Sequence, residues 1–139
     1  MAMVLTKVGA TVLAGEVVTA VLGSGGYVCG LFQNDLIPSL NTEIGDIVPA
    51  DYAGYVPLPL LGWSTPITVG DHAKSIANLL EYLYAGPGTE NDVYGYYVFH
   101  STTGLLVWLE RDPAPFHFGP GSPPYQILPV YTWISEFTS

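Results

Sequence analysis

Glycine (16 residues) and proline (12) make up about a fifth of the 139 positions and fall as punctuation between short apolar runs. Proline removes a backbone donor and glycine weakens both helix and strand interiors, so such spacing marks the breaks between elements. Ten tyrosines, with many Val and Thr residues, fill the intervals. That is the composition of short strands joined by tight or long loops. The expected fold is all-β: a single antiparallel β-sandwich or barrel-like domain over residues 1–139, with long Pro/Gly-rich loops. No internal repeat and no linker between two compositional regimes is seen. A chain of this length buries roughly two-thirds of its unfolded surface, so neither a metal nor a disulfide is needed to hold it together.

Hydrophobic residues reach 49% while charged residues stop at 11%, against about 25% charged in ordinary soluble domains. This excludes intrinsic disorder and implies that some apolar surface is buried against other subunits. The formal net charge of −9 leaves only Lys7, Lys74 and Arg111 as cations, which would repel a phosphate backbone, so nucleic acid is not an expected partner. The longest apolar stretch, residues 8–22, is broken by Glu16 and falls short of the roughly 18 uncharged residues of a spanning helix; no membrane association is expected. The first 14 residues imitate a signal peptide only loosely, and residues 1–26 are read as an N-terminal arm or edge segment of the folded chain. Cys29 is the only cysteine, which excludes an intrachain disulfide, and its strand-like setting predicts a buried, inert thiol.

Along the chain, residues 17–22 suit a helical turn or a strand equally, and Tyr27-Val-Cys-Gly-Leu-Phe32 is the first clear strand. Residues 33–66 form a long acidic, proline-containing loop region; Pro57 and Pro59, at alternate positions, remove two donors on one side and predict an edge strand or extended arm. In residues 74–85, Ile76, Leu79, Leu80 and Leu83 keep helical spacing while Ile76, Leu80, Tyr82 and Tyr84 share strand parity, and periodicity alone favours the helix. Tyr94-Gly-Tyr-Tyr-Val-Phe-His100, the Ser101-Thr-Thr-Gly104 loop and Leu105-Leu-Val-Trp-Leu-Glu110 predict a β-hairpin. Residues 112–124, rich in proline, are expected to meander with a brief Phe116-His-Phe118 strand, and residues 130–137 to close the chain as a strand.

Candidate chemistry is sparse. No Gly-x-Ser-x-Gly elbow or P-loop is present. His72, His100 and His117 lack metal-ligand spacing, although His100 and His117 fall near strands that could be neighbours, with Glu110 or Asp112 nearby. Asp35, Glu43, Asp46 and Asp51 gather in the long loop without an EF-hand pattern, and solvated carboxylates are expected there. Neither a metal nor a cofactor is predicted. Glu81 and Glu110, if on adjacent strands, would form a glycosidase-type carboxylate pair, and Trp63, Trp108, Tyr96 and Tyr125 could stack on sugars in a carbohydrate-binding or host-attachment module. Arg111 is expected to pair with Asp112, Glu110 or a carboxylate of a neighbouring chain.

The order of Leu31-Phe-Gln-Asn-Asp35 with Pro38, Tyr52-Ala-Gly-Tyr55, Trp63, Val93-Tyr-Gly-Tyr-Tyr97 and Leu106-Val-Trp-Leu-Glu110 resembles a group of small tailed-bacteriophage proteins encoded among virion genes. The likeness spans Gly15 to about Tyr131; it departs from the group's pattern at Asp51-Tyr-Ala and in the proline-rich residues 56–61. It implies a non-enzymatic virion structural protein, made in the host cytoplasm. The role implied is a capsid decoration or cement protein, or a head or tail appendage. The partners would be further copies of itself, trimer first, and the major capsid protein or another virion protein. The same resemblance turns residues 74–85 into a strand. Contact residues are then expected among loop side chains too apolar to be left in water: Leu36, Ile37, Pro38, Val48, Tyr52, Tyr55 and Phe116.

Overall fold

A computed structural model describes residues 26–69 and 72–134; residues 1–25 of the expected arm, with the open reading at 17–22, and residues 135–137 of the expected closing strand lie outside them. The described residues contain nine strands and no α-helix: β1 (Tyr27–Phe32), β2 (Leu58–Pro59), β3 (Ile67–Val69), β4 (His72–Ile76), β5 (Leu80–Tyr82), β6 (Asn91–His100), β7 (Leu106–Phe118), β8 (Tyr125–Ile127) and β9 (Val130–Ile134). All pairings are antiparallel, in three sheets ordered β2-β1-β6-β7, β3-β4-β9 and β5-β8. The all-β expectation holds. By its internal contacts the chain divides into two compact units. One comprises residues 26–59 and 80–127; the described part of the other is 60–69, 72–79 and 128–134.

The larger unit is organised on β1, whose continuous apolar run suits a strand paired on both sides. Cys29, Leu31 and Phe32 have no exposed surface. Gly30 faces Tyr97 across the sheet, and a Cβ there would stand 2.6 Å from the Tyr97 ring. Phe32, Ile47 and Tyr97 form one core cluster, against which Leu36, Tyr94, Phe99, Leu106 and Leu109 pack. A second cluster is aromatic: Tyr52 stacks on Phe118 with centroids 4.1 Å apart, and Phe116, Tyr125, Tyr82 and Tyr55 continue the series. Offset and edge-on ring contacts add to the stabilisation their area burial supplies.

The predicted hairpin is β6 and β7, closed by His100 N–H to the Leu105 carbonyl at 2.9 Å and Gly104 N–H to the His100 carbonyl at 2.8 Å. One expectation is corrected here. Residues 112–118 do not meander; β7 runs through them to Phe118. Arg111 faces Gly95 and Phe116 faces Val93, so residues 112–115 bulge opposite Tyr94. Pro113 and Pro115 sit in that bulge on an edge strand, where no ladder donor is missed. The alternating prolines at 57 and 59 likewise leave β2 as a two-residue sheet edge.

Residues 74–85 are extended, divided between β4 and β5 with a break at 77–79. The helical stripe is not the buried set: Leu79 and Leu83 are exposed, while Ser75, Ala77, Leu80 and Tyr82 are buried. Within the smaller unit, Asn78 N–H bonds the Leu61 carbonyl, Ser64 N–H the Ile76 carbonyl, and Ile76 N–H the Ser64 hydroxyl. These bonds use the backbone groups that a helix would have paired internally. No helix among the described residues is long and apolar enough to cross a membrane.

Candidate functional site

The loop between β1 and β2 leaves the sheet at Gln33 and returns at Val48, and its two ends are fastened to each other. Gln33 N–H donates to the Val48 carbonyl at 2.9 Å, and Ala50 N–H to the Leu31 carbonyl at 2.8 Å. Asn34 works from both ends of its amide: Nδ2 donates to the Asp46 carbonyl at 2.9 Å, and Oδ1 accepts Val48 N–H at 3.0 Å. An amide side chain directly after an apolar strand is well suited to this, since it satisfies backbone groups that the sheet no longer reaches.

Inside the loop, Ser39 and Thr42 close a tight turn through the Thr42 Oγ1 and the Ser39 carbonyl. A 3-10 turn at Ile44–Asp46 follows, with the Asp46 carboxylate accepting Glu43 N–H at 2.9 Å. From β7, the Arg111 guanidinium pairs with Asp35, donates to the Leu36 carbonyl at 3.0 Å and lies 5.3 Å from the Tyr94 ring centre. The partner of Arg111 is therefore Asp35, not the Asp112 or Glu110 expected from sequence. Leu36 and Ile47 point into the core cluster.

This is a compact loop with closed ends and its own internal bonding, the form that surface loops of functional importance often take. Its backbone is held while its aliphatic side chains are not covered: Ile37 is 78% exposed, Leu40 is fully exposed, and Ile44 and Val48 are 40% and 48% exposed. Large apolar side chains left uncovered on an ordered loop are the kind of surface that a partner covers.

The seven expected contact residues separate accordingly. Ile37 and Val48 are exposed and Pro38 half-buried in this loop, with Leu36 turned inward. Tyr52 is only 3% exposed beneath Phe118, so it offers no outer surface. The Tyr55 hydroxyl oxygen accepts Leu31 N–H at 3.0 Å, and Phe116 packs in the aromatic cluster. Leu40 and Ile44 were missed, although an apolar side chain every few residues in a polar loop was the available signal.

The other candidates are not assembled into a site. Glu81 on β5 faces Gln126 and accepts its amide at 3.0 Å, whereas Glu110 on β7 accepts the Tyr96 hydroxyl at 2.7 Å, so the two are not on adjacent strands. Tyr125 is tied to Asp112, and Trp63 belongs to the other unit. His117 faces Asp92 at one end of the β6-β7 pair while His100 closes the other, roughly 26 Å away at the usual strand rise. Asp35, Asp46 and Asp51 are each bonded to a different group, and among the described residues no three His, Cys, Asp or Glu side chains are placed to hold a metal ion. Burial raises the Cys29 thiol to about 11, which keeps it protonated and unreactive at neutral pH. The side chain of His72 lies outside the description.

A cluster that sequence reasoning missed is His117 between Asp92 and Glu90, at 2.8 and 3.0 Å. Two hollows also open on the larger unit: one of about 550 Å³ beside Tyr27, His100 and Leu106, and one of about 220 Å³ over Tyr52, Tyr82 and Leu58. Neither gathers convergent polar groups of the kind that orient a reacting substrate. Comparison with protein-family models, with characterised protein sequences and with solved structures finds no match.

Proposed function

We propose that this chain is a non-enzymatic structural protein of a phage virion, most simply a decoration or cement protein that binds the outer capsid and works as a homo-oligomer, trimer first. The observation that carries the docking role is the fastened loop of residues 34–48, which presents Ile37, Leu40, Ile44 and Val48 to solvent. Covering a fully exposed side chain such as Leu40 contributes about 1.5–3 kcal/mol, and the half-exposed Ile44 and Val48 less, before the cost of association is subtracted. Because the loop is already ordered, little of that gain is lost to ordering it on contact. The virion setting comes from the resemblance of the motif order described above. The carbohydrate-binding alternative has no comparable support, because none of its four aromatic side chains lines either of the two hollows described above.

The test is quantitative mass spectrometry of density-purified particles from the source, counting this chain against the major capsid subunit. A copy number comparable with the capsid subunit supports decoration, and a handful of copies moves the chain to a vertex or tail appendage. Absence from the particles overturns the proposal. The Ile37→Ser, Leu40→Ser double variant is expected to melt with the wild type and yet be lost from the particles.

A further inference from the structure

We infer that the surface receiving the 34–48 loop is an apolar depression rimmed by Lys and Arg side chains of a different protein, and not a second copy of this chain. The inference rests on the reading of that loop as the docking element and adds the chemistry of its partner.

The argument is one of charge accompanying apolar surface. Glu43 is exposed and stands in sequence between Leu40 and Ile44, two of the side chains to be covered. Any surface that takes those two therefore takes the Glu43 carboxylate near its rim. The Asp35 carboxylate, 68% exposed despite its bond to Arg111, stands at the loop's other end. A carboxylate stripped of water needs a compensating donor, and like charges brought together across an interface oppose binding. Arg111 already answers part of the Asp35 charge, whereas the Glu43 carboxylate meets only the backbone of its own Ile44–Asp46 turn and no Lys or Arg among the described residues. The Ser39 and Thr42 hydroxyls are engaged with each other and with the turn's own N–H groups, and Arg111 is held by Asp35 and the Leu36 carbonyl.

A second copy is poorly equipped to answer. No Lys or Arg occurs between Lys7 and Lys74. Across the larger unit nine Asp and Glu residues stand against Arg111. Two such surfaces meeting at this loop would bring carboxylates to carboxylates. A partner with cations around an apolar hollow satisfies both halves of the loop at once, and opposite charge also speeds encounter.

The experiment measures binding of the purified chain to source particles that lack it, at 50 and 500 mM NaCl, for wild type, Glu43→Gln and Leu40→Ser. Thermal melts establish that each variant is folded. The expected result is a wild-type Kd that rises about tenfold or more across that salt range, since exposed charge pairs are screened over a few ångströms at high salt. Glu43→Gln is expected to bind more weakly at low salt and with a smaller salt dependence, and Leu40→Ser to lose binding at both concentrations. A wild-type affinity that ignores salt, with Leu40→Ser still defective, overturns the basic rim while leaving the docking loop standing. A concentration-dependent dimer that Leu40→Ser abolishes makes a second copy the occupant and overturns the inference. No binding to particles at either salt concentration overturns the docking reading and the inference together.

Discussion

The Tyr82 hydroxyl donates a 2.7 Å hydrogen bond to the carbonyl of Cys29, joining β5 to the central strand β1 across 53 residues of sequence. Both residues are buried, at 2% and 0% exposure. Burial, reinforced by the neighbouring thiol, lifts the phenol far above its ordinary pKa, so it remains a donor at any working pH. Replacing Tyr82 with Phe leaves the carbonyl without this donor in a site water does not reach. The expected loss is about 1–2 kcal/mol, read as a lower urea midpoint with an unchanged slope. Tyr84→Phe is the control: its hydroxyl bonds the Gly88 carbonyl at 3.0 Å in an exposed setting, and water can take its place.

Asn91 and Asp51 make a reciprocal pair that binds the returning end of the long loop to the start of β6. Asp51 N–H donates to Asn91 Oδ1 at 2.7 Å, and Asn91 Nδ2 donates to Asp51 Oδ1 at 2.8 Å. Asn91 is 7% exposed. Asn91→Ala should cost about 2 kcal/mol at any pH. Asn91→Asp should cost about 3 kcal/mol or more at neutral pH, because it removes the donor and sets a second carboxylate against the first. Burial and that like charge raise the new carboxyl in the folded state. The extra deficit of Asp over Ala therefore shrinks as pH falls through the raised value. Urea melts at pH 7.5 and 4.5 test this, and a pH-independent difference between the two variants refutes it.

The all-β class was legible because glycine and proline punctuate most of the chain between short runs rich in Tyr, Val and Thr. The β6-β7 hairpin was legible because both apolar runs and their turn are local in sequence. What could not be read is what tertiary contact decides. Leu79 and Leu83 complete a helical stripe, yet Ala77 and Asn78 spend their N–H groups on Pro129 and Leu61 carbonyls instead. Pro113 and Pro115 argue against a strand until a bulge on an edge is there to receive them. The exposed apolar side chains of the 34–48 loop were legible at Ile37 and Val48, which are apolar in a polar stretch. Tyr52 looks the same in sequence and is buried only because Phe118, from the far end of β7, lies flat on it. Nor does sequence join Arg111 to Asp35, which the hairpin brings beside the loop from 76 residues away.

Gly95 and Gly104 separate two reasons for being glycine. A Cβ at Gly95 would run into the Glu110 carbonyl oxygen and stand 2.8 Å from the Phe32 ring, at the register shift where β7 bulges. Neither obstacle is the end of a flexible chain, so Gly95→Ala must move the strand. The expected cost is about 3 kcal/mol or more. At Gly104 nothing lies within 4 Å of the added Cβ, but φ is +71°. There Ala meets only the backbone penalty of the left-handed region, about 1 kcal/mol. Thermal melts of the two variants should rank them in that order. A Gly95→Ala variant as stable as wild type would contradict the close approach of β6 and β7 at this point.

His117 offers a pH response that can be assigned residue by residue. Its Nδ1 lies 2.8 Å from Asp92, the residue facing it on β6, and its Nε2 lies 3.0 Å from Glu90. The hydrogen bond to Asp92, then that to Glu90, raises the imidazole above its ordinary 6.5, with desolvation opposing them. With the folded value above the unfolded one, the protonated ring stabilises the fold fully below about pH 6.5. That contribution is lost as pH rises through the folded value. The stability difference between wild type and His117→Asn should therefore be largest in mild acid and disappear in mild alkali. It should also shrink with salt, since all three groups are exposed. Imidazole carbon shifts followed by NMR give the midpoint directly. Asp92→Asn should lower it more than Glu90→Gln does, following the order of the two bonds. A midpoint at or below 6.5 in the wild type would show that the paired carboxylates do not hold the proton.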